Sequence, residues 1–221
     1  MRKIDIIESL KSYMEFEKES GVREYFFNMA PASQASCPRT NAQTLEELKK
    51  EVDSCKSCDL SRTRTNVVFG SGNPKAKLMF IGEAPGRDED IQGLPFVGRA
   101  GQLLTKIIEA MGLKRQDVYI ANILKCRPPN NRAPLPTEIL ACADNVKRQV
   151  EMKNPKVICT LGKFASQTLL KTETPITALR GTFQLYDGIK VMPTFHPAYL
   201  LRNPQDKRLV WEDMKKIKKE L

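Results

Sequence analysis

Three short apolar runs, each followed by a segment with helical spacing, constrain this chain most. KLMFIG precedes GRAGQLLTKIIEAMG, DVYIANIL precedes TEILACADNVKRQVEM, and KVICTLG precedes KFASQTLLK. Antiparallel strands can be joined by two residues, whereas parallel strands need a crossover of a dozen or more, usually a helix. Strand, helix, strand, helix at this spacing therefore predicts an α/β fold, a mainly parallel sheet with helices on its faces. GTFQLYDGIKVMPTFHP adds a hairpin-like or edge pair with Asp187 and Gly188 at its turn. Val210, Met214, Ile217 and Leu221 form the apolar stripe of a last helix whose outer face is rich in lysine.

Residues 4–28 read as a helical, nearly neutral segment, and APASQASCPRTNAQ reads as a linker. Residues 1–43 are thus an expected appendage and residues 44–221 the main domain. Thr44 and Glu47 in TLEELKKEV make a capping box that opens the domain. The N-terminus is too acidic for a secretory signal, and no apolar run has membrane-spanning length, so an intracellular, cytoplasmic protein is expected.

The chain carries 36 Lys and Arg against 26 Asp and Glu, a formal net charge of +10. Residues 1–30 hold five basic and six acidic side chains, so the excess belongs to the rest of the chain. Such a balance suits a polyanionic partner such as nucleic acid, and equally a merely soluble cationic protein.

In a parallel sheet, function gathers where strands end and helices begin. Three stretches fall there. The first, GEAPGRDEDIQGLPFVGRAG, starts with a rigid turn and carries Glu83, Asp88, Glu89 and Asp90, which could form a solvated run, hold Mg²⁺ or activate water. Phe96 sits there among glycines and a proline, as a base-stacking ring or a loop anchor. The second stretch offers Asn122, whose amide presents a donor beside an acceptor, complementary to the N–H and carbonyl of uracil and equally suited to holding a loop. The third, MPTFHPAYLL, contains the only histidine, His196.

Six cysteines in an intracellular chain argue for metal ligation or burial over disulfides. Cys55 and Cys58 form C-x2-C; Cys126 follows after 67 intervening residues and Cys142 after 15 more. Four thiolates complete a tetrahedral zinc site or an iron-sulfur site, and spacing alone does not choose between them. Cys37 and Cys159 are left over, the latter as a small buried residue.

GEAPGRDEDIQGLPFVGRAGQLL, NILKCRPPNNR and HPAYLLRNP, in this order and with these four cysteines, resemble the family 4 uracil-DNA glycosylases of bacteria and archaea. The resemblance covers about residues 44–221. It implies a three-layer α/β/α sandwich, a [4Fe-4S] cluster on Cys55, Cys58, Cys126 and Cys142, and removal of uracil from single- or double-stranded DNA. It further implies that His196 lies against the O2 of the flipped uracil, that Phe96 stacks on the base, and that Asn122 reads its N3 and O4 edge. The backbone from Glu83 through Ala84 to Gly86 would close the pocket.

The first family of these enzymes has an aspartate and a tyrosine where this chain has Ala84 and Gly86, so water activation and thymine exclusion must move elsewhere. Glu89 is the expected water-positioning carboxylate. Leu200 and Leu201 are the expected wedge that replaces the flipped base, and Lys125, Arg127, Arg132 and Arg202 the expected phosphate contacts. A monomer is expected, with a sliding clamp as a candidate partner. The alternatives are a cluster-containing DNA-binding module without turnover, as in glycosylase-like segments fused to polymerases, and an Mg²⁺-dependent nuclease. Zinc-dependent deamination lacks its H-x-E and P-C-x-x-C signatures.

Overall fold

The computed structural model describes residues 44–221. The expected appendage, residues 1–43, lies outside the described residues. At the start of the domain, the Thr44 hydroxyl accepts from Glu47 N and the Glu47 carboxylate accepts from Thr44 N, both at 3.2 Å. This closes the capping box of helix α1 (Leu45–Asp53).

The sheet has six strands: β1 (Ser71–Gly72), β2 (Leu78–Gly82), β3 (Tyr119–Asn122), β4 (Val157–Leu161), β5 (Gln184–Tyr186) and β6 (Ile189–Thr194). Their spatial order is β1-β3-β2-β4-β6-β5. The four central strands are parallel to their neighbours, and β1 and β5 flank them as antiparallel edges. The β5–β6 hairpin turns at Asp187 and Gly188, both with positive φ, as a two-residue hairpin of matching twist requires. The two-residue β1 edge was not foreseen, being too short for a periodic signal.

Successive strand residues point to opposite faces, and here both faces are covered. Leu78, Phe80, Ile120, Val157, Cys159 and Met192 form one buried cluster with Leu104, Ile108, Leu200, Val210, Met214 and Ile217. Met79, Ile81, Ala121, Ile158 and Val191 form the other with Val146, Val150, Ala165 and Leu169. The helices carrying these residues are α4 (Arg99–Ala110), α5 (Pro136–Lys153), α6 (Lys163–Leu170), α8 (Pro197–Arg202) and α9 (Lys207–Lys219). Short helices α2 (Leu60–Thr63), α3 (Arg87–Gln92) and α7 (Ile176–Leu179) complete the α-helices of the described residues. The result is a three-layer α/β/α arrangement. No helix of the described residues is long and apolar enough to cross a membrane.

Two buried ion pairs fix the layers where the functional loops leave them. The Arg148 guanidinium holds Glu51, tying α1 to α5. Arg180 and Thr194 both donate to Asp213 at 2.6 Å, tying the end of β6 to α9. Removing one partner of such a pair costs about 3–5 kcal/mol, because a charge is left buried alone.

Candidate active site

Parallel strands bring their C-terminal ends to one edge, and the loops after β2, β3 and β6 meet there around a cavity of about 420 Å³. Glu83, Ala84, Gly86, Glu89, Phe96, Asn122, Arg132, His196 and Arg202 all line it.

Asn122 ends β3, paired in register with Gly82 of β2. It is 1% exposed, and its Oδ1 has no hydrogen-bond partner among the described residues. A Cβ on Gly82 would fall 2.4 Å from that oxygen and 2.6 Å from the Phe96 ring, so a glycine is required for both side chains to reach the wall. A buried acceptor left unpaired costs about 1–3 kcal/mol. In a wall of the cavity, it is an open request for a donor.

Phe96 has φ +53, a left-handed conformation that costs a residue with a side chain about 1–3 kcal/mol. Its ring is almost wholly buried beside the cavity, 5.6 Å from the His196 ring and tilted 36° to it. The two readings of this residue merge. It is anchored in the core and presents a ring to the cavity.

His196 is the N-cap of α8, and its Nδ1 accepts from Ala198 N at 3.1 Å. A neutral imidazole that accepts at Nδ1 carries its proton on Nε2. Enclosure in the protein, helped by the charge of Arg202, lowers its pKa to about 4. At neutral pH the cavity therefore holds a neutral donor.

The carboxylates differ sharply. Glu89 Oε1 accepts from Val97 N and Gly98 N at 2.8 and 2.9 Å, and Oε2 accepts from Gly86 N at 3.1 Å. These bonds make it a brace between the two lips of the cavity, and Oε2, with one bond, keeps an acceptor site. Asp90 is buried and takes Thr65 N and Asn66 N. Glu83 also lines the cavity; its backbone carbonyl accepts from Leu124 N at 3.0 Å, its carboxylate has no hydrogen bond among the described residues, and burial raises its pKa.

Of the expected DNA contacts, Leu200 is corrected: at 0% exposure it belongs to the core. Leu201, 38% exposed on the same helix, is the residue that faces out. Lys125 is corrected too. It is fully buried, and its Nζ donates to Asn122 O at 2.8 Å and Gln149 Oε1 at 2.6 Å, out of reach of any phosphate. Arg132 is committed to Glu138 through two hydrogen bonds of 2.9 and 2.6 Å. Arg127 holds Asn131 Oδ1 at 2.7 Å, while Arg202 is exposed at the rim.

Cys55, Cys58, Cys126 and Cys142 line a second, small cavity. Among the described residues no three ligating side chains close on a single ion. The donors around the sulfurs are those that thiolates accept from: Arg64 reaches Cys126 Sγ at 3.1 Å, and Lys125 N reaches Cys142 Sγ at 3.3 Å. Burial pushes the Cys126 thiol up to about 11, so cationic charge in this cavity is what would make it a thiolate.

The Uracil DNA glycosylase superfamily model matches residues 69–215. A type-4 uracil-DNA glycosylase of Archaeoglobus fulgidus is 47% identical over 185 residues, covering 79% of this chain and 92% of the relative. The chain belongs to the type-4 uracil-DNA glycosylase family. The type-4 uracil-DNA glycosylase of Thermotoga maritima is 46% identical, over 81% of this chain and 95% of its own length. A DNA polymerase of Bacillus phage SP01 is 32% identical over 62% of this chain but only 15% of the polymerase. Within this type-4 glycosylase, the sequence did not single out Tyr199, Asn131, Arg64 or Arg115. Tyr199 and Asn131 line the cavity from inside two recognised motifs. Arg64 and Arg115 bond mainly to backbone and sulfur far away in sequence, which leaves no local signal.

Proposed function

We infer that this chain hydrolyses the N-glycosidic bond of uracil in DNA and so begins base-excision repair. The orphaned Oδ1 of Asn122 in the cavity wall carries this reading. Uracil N3–H is the donor it lacks, and the neighbouring carbonyl suits the amide N–H₂. The base must leave the helix stack to reach such a wall, and Phe96 supplies a ring for it to stack on. As the glycosidic bond breaks, negative charge grows on the uracil O2. The neutral His196 offers Nε2–H to that oxygen, a donor of the kind worth about 2.7–4 kcal/mol when aimed at developing charge.

The sugar passes through an oxocarbenium-like state and needs a placed water. Glu83, with both oxygens free, takes that role, and Glu89 keeps the lips of the cavity in place. Leu201 is the wedge, and Arg202 with Arg127 contacts phosphates. The four cysteines would hold a [4Fe-4S] cluster, whose contribution is to supply the charge that keeps the thiolates ionised and to tie α1, β3 and α5 together. The protein acts as a monomer in the cytoplasm, and a sliding clamp is its candidate partner.

The test is release of free uracil from a uracil-containing oligonucleotide in EDTA. Uracil and an intact strand with an abasic site are expected. Strand cleavage that requires Mg²⁺, without free uracil, refutes the proposal.

A further inference from the structure

The strained backbone of Phe96 is held from two directions, and one of the holding groups lies outside every motif of the cavity. Upstream, Glu89 Oε1 fixes the amides of Val97 and Gly98. Downstream, Arg115 extends from the short turn Arg115–Asp117, and its guanidinium donates to the carbonyl of Pro95 and, at 3.3 Å, to Thr105 Oγ1. Thr105 Oγ1 in turn donates to Gly101 O at 3.1 Å. Helix α4 presses against the same segment: a Cβ on Gly101 would fall 1.9 Å from the Phe96 carbonyl oxygen. Residues 95, 97 and 98 are thus fixed by hydrogen bonds and residue 96 by contact, which over-determines a conformation that an aromatic residue does not choose by itself.

Arg115 is half-buried and does not line the cavity. It therefore has no contact of its own to offer a ligand there. We propose that Arg115 is a positioning residue which, opposite Glu89, locks Phe96 in its left-handed conformation so that the ring stands ready to stack on a flat pyrimidine base. The inference rests on the reading of the cavity as a uracil site and adds a residue to it. Arg115 acts only through Phe96, so its removal matters only while the ring is there.

A double-mutant cycle tests this, with Arg115→Met, Phe96→Ala and the double variant compared in the full chain. The measurements are the inhibition constant of free uracil, KM and kcat, with the thermal transition as a control for folding. Base–aromatic stacking sets the scale, so each single variant should weaken uracil inhibition about tenfold. The double variant should be no worse than Phe96→Ala, and Arg115→Lys should restore part of the loss by donating one hydrogen bond to Pro95. The loss should appear mainly in KM. Losses that multiply in the double variant overturn the proposal, as does an Arg115→Met protein with a lower thermal transition and unchanged uracil inhibition. The amide resonances of Val97 and Gly98, recorded without ligand, should shift in Arg115→Met, and unchanged resonances also overturn it. A wild-type chain that neither binds nor releases uracil defeats the uracil reading instead, and the amide shifts still decide the brace.

Discussion

Replacing Asn122 by leucine should make this protein more stable and less active. Leucine has the same branched heavy-atom skeleton, and Asn122 is 1% exposed with an Oδ1 that finds no partner among the described residues. Exchanging an unpaired buried acceptor for a methyl group removes a penalty of about 1–3 kcal/mol. For a domain of this size 1 kcal/mol moves the thermal transition by about 2–4 °C, so a rise of about 2–12 °C is expected. The same change deletes both hydrogen bonds to the uracil edge and should cut uracil release at least about tenfold. Thermal unfolding by circular dichroism and single-turnover uracil release, on the same preparation, read both effects. A lowered transition would mean that Asn122 holds the loop after β3, and the argument from its orphaned oxygen would fall.

Because the His196 pKa is lowered to about 4 from its ordinary 6.5, the imidazole should stay neutral from neutral pH down to about pH 5; protonation near pH 4 makes Nδ1 a donor and breaks the bond it accepts from Ala198 N, so a pH–rate profile should change only there. Between pH 6.5 and 4 the unfolded chain binds a proton that the folded one refuses, so this residue makes stability fall as pH drops through that window. Glu83→Gln should slow uracil release about 100-fold with an unchanged thermal transition, whereas Glu89→Gln should lower stability by about 2 kcal/mol as its three amide bonds lose their charge. The reverse pattern would return the water-placing role to Glu89. Protein purified without oxygen should contain about four irons per chain and absorb in the visible; stoichiometric zinc without colour would contradict the cluster.

The alternation of apolar runs and helical patterns was enough to read the central parallel strands and the helices on both faces, because burial on both sides leaves continuous apolar runs. Glu83, Asn122 and His196 could be picked out as candidates for a related reason: each stands at or just after the end of a parallel strand, where the loops of the cavity meet. What the motifs hid was which of their members are packed away and which face the cavity. Leu200 and Leu201 are adjacent, yet the turn of α8 sends one into the core and the other outward. Lys125 looked cationic and exposed, but it is a buried donor to Asn122 and Gln149. Glu89 accepts three backbone amides, while the Glu83 carboxylate lines the same cavity and accepts none among the described residues, a difference that adjacent places in one motif do not reveal. Arg115 and Asp213 have partners 20 and 19 residues away, and such pairings follow only from the assembled fold.

The most direct test of the mechanism is a comparison of wild type with His196→Ala on one uracil-containing duplex, measuring single-turnover release and equilibrium affinity side by side. A donor that matters chiefly as charge develops on O2 should cost rate and spare binding. Release is expected to slow about 100- to 1,000-fold, the scale of one oxyanion-hole donor, while the Kd stays within a few fold. Equal losses of rate and affinity, or a variant as fast as wild type, would contradict the account of His196 as the neutral donor to the leaving uracil.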